Sequence, residues 1–583
     1  MKKTLLACAL LLWGAVGVGV IWNLERARQV SAAQLVPAEA LLVAEFPNLP
    51  SSAMRWKGTA LSEILSEPEL RAFLSKPVAG MAPGADLPDA LERLKRAQPR
   101  QAFLAVASLE ENQPHAVAGL EFTGDRRELE PLISQALIRA QNASPQGGIR
   151  RLHYRGYRLL TFNDRGITLV GCFAKNWYFV ANDVELLKAT LDRLSGSGHP
   201  SLAKTAAYQV SQLALPPRAD FRLFVQSPAP ANRLLARFIA QPSAAQGPKF
   251  ASAALATRIE GALLHDTLVI RLRGTPARVP SLNGRTLALT TSDTLFYGAM
   301  APQLESWLGS SASGANRLIP TLMAALTPTG KPDLARFQAA FGPEHALILD
   351  WPHPSPQPDL FLASEIRDAA QARRFTEALL KRWDREDAGG VPIWTFSLAQ
   401  PALFHPAVAL AGSHMVAGLS SERLRPFALH AIRQPAGGQG ETLERSPVFR
   451  SSVALLARPE TALAYLDAAA LFERIYTSLR PAAAIWGPGI PWLSAYADFD
   501  RLPSPQAISR HLSPITLSAH QAEEGIVIDT AGPVSFVELA AGLGLGAFYA
   551  AVPALKPTNP NPQSILPPAP PKPLSAPADP TDP

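Results

Sequence analysis

Apolar residues run almost unbroken from Leu5 to Trp22, with Met1-Lys2-Lys3 before them and the polar stretch Asn23-Leu24-Glu25-Arg26-Ala27-Arg28 after. Positive charge ahead of an apolar core is the signature of export. About eighteen residues at ~1.5 Å each nearly cross a hydrocarbon core of roughly 30 Å, which is long for a cleaved signal. The nearest small-residue cleavage candidate, Ser31-Ala32-Ala33, is separated from the run by charged residues. The pattern therefore predicts an uncleaved signal anchor, with Lys2 and Lys3 inside and the body facing the periplasm or other extracytoplasmic side. Cleavage would instead give a secreted protein. Leu5-Leu6-Ala7-Cys8 matches a lipoprotein box only superficially, because the apolar core follows the cysteine.

Beyond this segment the periodicity switches between that of strands and that of helices. Leu41–Phe46 reads as a strand behind Pro37-Ala38-Glu39-Ala40, and Leu61, Ile64, Leu65, Leu70, Phe73 and Leu74 follow at helical spacing. Ala102–Leu109 and Ala116–Phe122 predict a hairpin, Arg126–Gln141 a helix, and Tyr157–Phe162, Ile167–Phe173 and Trp177–Val180 a three-strand meander. Asn182-Asp183 supplies a cap for a helix over Val184–Leu194, since their oxygens can accept the orphan amide hydrogens of a first turn. Further helices are expected at Ala203–Leu213 and Ala231–Ile239, a strand at Asp220–Gln226, and a closing hairpin from Thr257–Leu264 and Thr267–Arg273.

The same order then recurs. Thr294–Gly298 stands for the first strand, Glu344–Trp351 and Leu360–Ile366 for the hairpin, and Asp368–Arg382 for the helix. Pro392–Ser397, Phe404–Val408 and His414–Ala417 echo the meander, and Ser420-Ser421-Glu422 opens the next helix. Tyr208-Gln209-Val210-Ser211 leads into Ala219–Val225 as Phe449-Arg450-Ser451-Ser452 leads into Thr461–Leu466, followed by a helix carrying Leu471, Phe472 and Ile475. His511–Ala519 and Gly525–Asp529 complete the second unit. Order and spacing, with few shared letters, predict an internal duplication.

The expected class is α+β: two repeated modules, each a largely antiparallel sheet covered by helices on one face. The expected organisation is 1–35 signal anchor or signal peptide with linker, 36–275 first module, 276–285 linker and 286–530 second module. A hydrophobic C-terminal helix follows over 531–555, and a disordered tail over 556–583. Val534–Leu555 carries Glu538 as its single charge and offers Ala541, Gly542, Gly544, Gly546 and Ala547 for close helix contact. It is read as either a second membrane span or a buried apolar helix. The tail is nearly all Pro, Ala, Ser, Asn and Asp, a composition that buries too little surface to offset its ordering entropy.

Charge changes little. The formal net charge is +7 over 583 residues, and the clusters Arg150, Arg151, Arg155, Arg158 and Arg373, Arg374, Lys381, Arg382 lack interleaved stacking aromatics. They read as solvated faces, so no nucleic-acid partner is expected. The two cysteines are Cys8, inside the apolar run, and Cys172, inside the apolar strand LVGCF, so no internal disulfide is expected and Cys172 reads as a buried, inert thiol.

Candidate chemistry is thin. His345 and His353 flank Asp350 and Trp351, but a strand-end histidine usually caps or faces solvent. No His-Glu-x-x-His, Cys-x-x-Cys, Gly-x-Ser-x-Gly or phosphate loop occurs, and Gly542, Gly544 and Gly546 lack a cradle lysine. The acidic pairs Glu110-Glu111, Glu386-Asp387 and Glu523-Glu524 fall in expected turns, and Trp56, Trp177, Trp307 and Trp394 in expected cores. The sequence therefore nominates no catalytic, cofactor-binding or metal-ligating residue.

Taken together, the N-terminal apolar segment, the Pro37-Ala38-Glu39-Ala40 opening and the doubled α+β body resemble a family of bacterial envelope proteins of unknown function. The resemblance spans roughly residues 1–555. It implies location and fold, and transfers no active residue. The expected function is that of a non-enzymatic extracytoplasmic protein, anchored in the membrane, that binds or organises another envelope component. One alternative is an apolar, lipid-like ligand carrier, which requires a cavity between sheet and helices. The other is an envelope hydrolase with a dispersed site, which requires His353 or His414 beside an exposed serine or carboxylate.

Overall fold

The computed structural model describes residues 30–74, 87–110, 113–143, 147–164, 167–226, 250–272, 280–301, 334–352, 355, 357–396, 405–433, 442–457, 459–489, 497–523 and 525–535. The anchor at 5–22, the helix expected at Ala231–Ile239, the apolar segment from residue 536 and the tail lie outside them. Among the described residues no helix is long and apolar enough to cross a membrane.

All described residues belong to one compact unit, built on a single antiparallel sheet. Its N-terminal strands are β1 (Leu42–Phe46), β2 (Pro99–Glu110), β3 (Gln113–Phe122), β4 (Gly148–Tyr154), β5 (Tyr157–Asp164), β6 (Ile167–Ala174), β7 (Trp177–Ala181), β8 (Phe221–Gln226), β9 (Phe250–Glu260) and β10 (Leu263–Leu272). Its C-terminal strands are β11 (Thr294–Met300), β12 (Phe341–Asp350), β13 (Asp359–Ile366), β14 (Asp384–Ala388), β15 (Val391–Thr395), β16 (Ala407–Ala411), β17 (His414–Gly418), β18 (Ala462–Leu466), β19 (Ile515–Ala522) and β20 (Gly525–Gly532).

The first ten strands lie side by side in the order β4-β5-β6-β7-β3-β2-β1-β8-β9-β10. The last ten lie in the order β14-β15-β16-β17-β13-β12-β11-β18-β19-β20. The two orders are the same, position for position. They meet edge to edge where β10 pairs with β20, Thr267 facing Asp529 at the middle of the seam. There Gly525 is pressed so close that a Cβ would lie 1.9 Å from the Ile270 carbonyl oxygen.

Helices cover both faces, not one. Near the β4 end, α1 (Glu130–Ala143) lies over the face bearing Leu160, Phe162 and Gly171, while α2 (Val184–Leu194) packs Leu187 and Leu191 on Leu159, Val170 and Cys172 of the opposite face. Near the β14 end, α3 (Ala369–Leu379) and α4 (Ser421–Arg433) take the corresponding faces. The strands carry apolar side chains on both sides, as in Leu159-Leu160 and Ile393-Trp394, so a single helical layer would leave half of that surface in water. Caps fix the helix starts: Asp183 accepts from the Leu186 amide at 2.7 Å, and Asp368 from those of Ala370 and Gln371.

Three expectations need correction. Each meander has a fourth, outer strand: β4 and β14 read GIRRLHY and DREDA, and edge strands exposed on both faces show no alternation to detect. The turn of the first closing hairpin is at Gly261-Ala262; His265-Asp266, expected to form it, is buried in mid-strand. Asp266 is accommodated there because Thr257 and Thr530 donate their hydroxyls to it. The strands expected at Phe404–Val408 and His511–Ala519 begin further along, at Ala407 and Ile515.

The seam yields a prediction. Asp266→Ala leaves buried hydroxyls without their acceptor and is expected to cost about 2 kcal/mol, read as a lower urea midpoint at unchanged slope.

Candidate functional site

Among the described residues, those singled out in the sequence do not assemble into a catalytic set. His345 donates to or accepts from the Ser364 hydroxyl at 2.9 Å, stacks on Phe337, and is held down to about 4 by burial. His353 lies outside the described residues. Asp350 takes hydroxyls from Thr294 and Thr291, and burial lifts it to about 6. His414 Nδ1 is 3.2 Å from the hydroxyl of Ser413, an exposed residue, so the contact named for a hydrolase is present. Among the described residues the buried Nε2 of His414 has no side-chain partner, however, so no carboxylate there orients the ring as a general base requires. The nearby carboxylates are engaged elsewhere. Glu344 accepts from the amides of Asn283, Gly284 and Thr286, and Glu365 from Asn283 Nδ2 and Arg285, which ties the incoming chain to the sheet.

Of the acidic pairs, Glu386 and Asp387 lie in β14 and not in the turn expected for them, and Glu523 is exposed in the turn between β19 and β20. Glu386 pairs with Arg425 and Asp387 accepts from the Gly390 amide, while Glu111 and Glu524 lie outside the described residues. Cys172 is buried and its thiol is pushed up to about 11. Trp177 and Trp394 are core residues at 1% and 3% exposure, Trp56 is half-buried, and Trp307, Gly542, Gly544 and Gly546 are outside the described residues. Arg373, Arg374, Lys381 and Arg382 are exposed. Among the described residues no group of three or more His, Cys, Asp or Glu could hold a metal ion.

What does stand out is a space between α1 and the sheet, about 320 Å³ in volume. Leu132, Ile133 and Leu137 of α1 form its roof, and Leu160, Phe162 and Leu169 of β5 and β6 lie in its floor. At the centre of the floor is Gly171, where a Cβ would sit 2.6 Å from the Tyr178 hydroxyl oxygen, so the absence of a side chain lets that ring lie across the strand. Tyr178 brings the one polar side-chain atom among the lining residues, and burial raises its hydroxyl to about 12, so it stays a neutral donor. The N-terminal end of α1 is closed by Ala97, Phe122 and Leu129 with the Phe173 ring.

The C-terminal half supplies an internal comparison. One row across the sheet runs Arg151–Leu160–Gly171–Val180; at the same register the other half has Arg385–Trp394–Val408–Ala417. There Trp394 and Val408 pack with Leu380 and Trp383, and Phe396 lies on Trp383 at 5.3 Å between ring centres. Two indoles and a valine fill the place that Leu160 and Gly171 leave to the Tyr178 ring and the space beside it. Sequence reading missed this site because apolar residues on both strand faces signal only a core, and Gly171 in LVGCF was the sole irregularity.

No family model matches this chain, and no curated protein is similar to it. Crystal form I of TP0453 is similar over 43% of this chain and 82% of its own, at 10% identity and a TM-score of 0.26. Crystal form III is similar over 43% and 83%, at 10% identity and 0.27. Likeness at these scores carries no argument about fold or function.

Two predictions follow from the local chemistry. His345 binds its proton less readily folded than unfolded, so its contribution is present near pH 7 and lost as pH falls from about 6.5 towards 4, by up to about 3 kcal/mol. Urea unfolding across that window should show His345→Gln losing less stability than the parent. In a Cys8→Ser background, Cys172 should resist a thiol reagent at pH 8 until denaturant is added.

Proposed function

We propose that this chain is a cell-envelope protein, held at the membrane by its N-terminal apolar segment, that binds a small apolar, lipid-like ligand between α1 and strands β5 to β7. The observation that carries the reading is the open space over Gly171 and Leu160, set against the filled counterpart over Val408 and Trp394. A volume of 320 Å³ is at the small end of the roughly 300–1,000 Å³ range of ligand pockets, and its lining is of the apolar kind with one placed hydroxyl. The function is binding, with no chemistry assigned.

We infer also that the two halves are copies of one module, in keeping with their common strand order. One copy then kept a packed core, and the other gave up packing for a site. An uncleaved anchor agrees with the burial of Ala32, Ala33 and Leu35 at 1%, 1% and 0% exposure, since cleavage after Ala33 would remove part of the core. The envelope location rests on Lys2, Lys3 and the run from Leu5 to Trp22.

The test is to copy one half into the other. Leu160→Trp, matching Trp394, should abolish displacement of a fluorescent apolar probe such as 1-N-phenylnaphthylamine by decanol, while thermal stability holds or rises. Full binding by a folded Leu160→Trp protein would sink the reading.

A second reading, docking of another envelope component, is favoured by the helix Ala468–Trp486, which exposes Ile475, Leu479, Ile485 and Trp486 at 42%, 59%, 72% and 72%. It fails if Leu479→Asp leaves the neighbours crosslinked to the chain in intact cells unchanged.

A further inference from the structure

The strand next to the cavity floor has a chemistry of its own. β4 is the outer strand of the sheet, exposed along nearly its whole length, and it pairs with β5 so that Arg151 lies opposite Leu160, His153 opposite Arg158, and Ile149 opposite Phe162. Directly opposed residues in an antiparallel pair share a face. Leu160 and Phe162 are in the cavity floor, so Arg151, Arg158 and His153 border that floor on the same face. On the other face Asp192 accepts from Tyr154 and pairs with Arg155 at 2.9 Å, while Arg150, opposite Thr161, is exposed. Arg126, above Phe173 at 4.4 Å, is neutralised by Glu130 at 2.8 Å. Arg151 and Arg158 make no ion pair among the described residues, and both are exposed.

The other half shows what an arginine does here when nothing is to be bound. Arg385, at the register position of Arg151, lies 5.5 Å from the Trp394 ring centre and pairs with Glu377 at 3.0 Å. Pro392 takes the position of Arg158 and Asp387 that of His153. In that half the aromatic filler, the paired arginine and the local acid occur together. In the first half all three are missing at once among the described residues: an open floor, two guanidiniums without an ion pair and no carboxylate at the register positions opposite them.

From this juxtaposition we propose that the ligand is a single-chain amphiphile with an anionic head, a carboxylate or a phosphate monoester, whose chain lies over Gly171 and whose head is held by Arg151 and Arg158. This rests on the apolar-ligand reading and extends it. Guanidinium groups suit either head because their paired N–H donors match two oxygens. Buried chain and exposed head divide the work: the cavity removes the chain from water, and the rim selects its charge.

The experiment compares decanoate, decyl phosphate, decanol and decyltrimethylammonium by displacement of a fluorescent probe from the full chain in amphipol at pH 8. Decanoate or decyl phosphate should bind at least tenfold more tightly than decanol, and the cationic compound more weakly than decanol. Whichever anion binds more tightly identifies the head. In the double variant Arg151→Gln/Arg158→Gln the anionic preference should disappear, with decanol binding unchanged as the sign of an intact cavity. Equal binding of anion and alcohol by the parent protein, or equal loss of both in the variant, overturns this inference alone. Binding of none of the four overturns the apolar-ligand reading beneath it.

Discussion

The eight residue pairs between β10 and β20 join the two sets of strands into one sheet, and contacts of Glu67 with Arg510 and His511 and of Phe73 with Phe499 tie the halves a second time. Without them each set of ten strands would end in a row of unpaired N–H and C=O groups, which invites pairing with another chain. Burial of Asp266, Thr267 and Thr530 at this seam fixes its register. A slip of one residue would move every side chain of β20 to the opposite face and leave Asp266 without the Thr530 hydroxyl. Polar groups in the middle of a sheet here specify which strands meet and how.

Because the two sets of strands share one order and the outer strands one register, equivalent positions in them can be compared directly. Leu160 and Gly171, where the other set has Trp394 and Val408, forgo close packing that is worth roughly 1.5–3 kcal/mol per large buried side chain. That loss sits beneath α1, and the opposite face of the same strands is a dense core around Trp177, Phe179 and Leu187. Rigidity on one face supports a concave, less filled surface on the other. The outer pair of strands completes the contrast: Arg151 and Arg158, on the face of Leu160, make no ion pair among the described residues, and Arg385 is engaged beside the filled core.

Strands that alternate or are bounded by clear turns were legible in the chain: β1, β3, β6, β7 and β13 are close to where the pattern puts them, as is the cap at Asp183. β4 and β14 were not, because a charged edge strand has no buried face to leave a period in the sequence. The hairpin turn was misplaced at His265-Asp266 for a related reason. A polar pair normally marks a loop, and only the partner hydroxyls across two strand boundaries reverse that meaning. Arg151 and Arg158, read from the sequence as solvated, are indeed exposed, yet their placement beside Leu160 depends on pairing that no local signal announces.

Taken alone, the sequence determined the succession of helices and strands, the α+β class, the apolar N-terminal run and the absence of familiar catalytic motifs, since each depends on residues within a turn or two of one another. Only the tertiary structure decided that the two sets of strands join through a shared seam, that helices cover both faces, and that Leu160 and Gly171 lie under α1 without filling the space. Those outcomes depend on which side chains meet across distances of tens to hundreds of residues. Whether an apolar position becomes core or cavity depends on the volume of its neighbours, which periodicity does not encode.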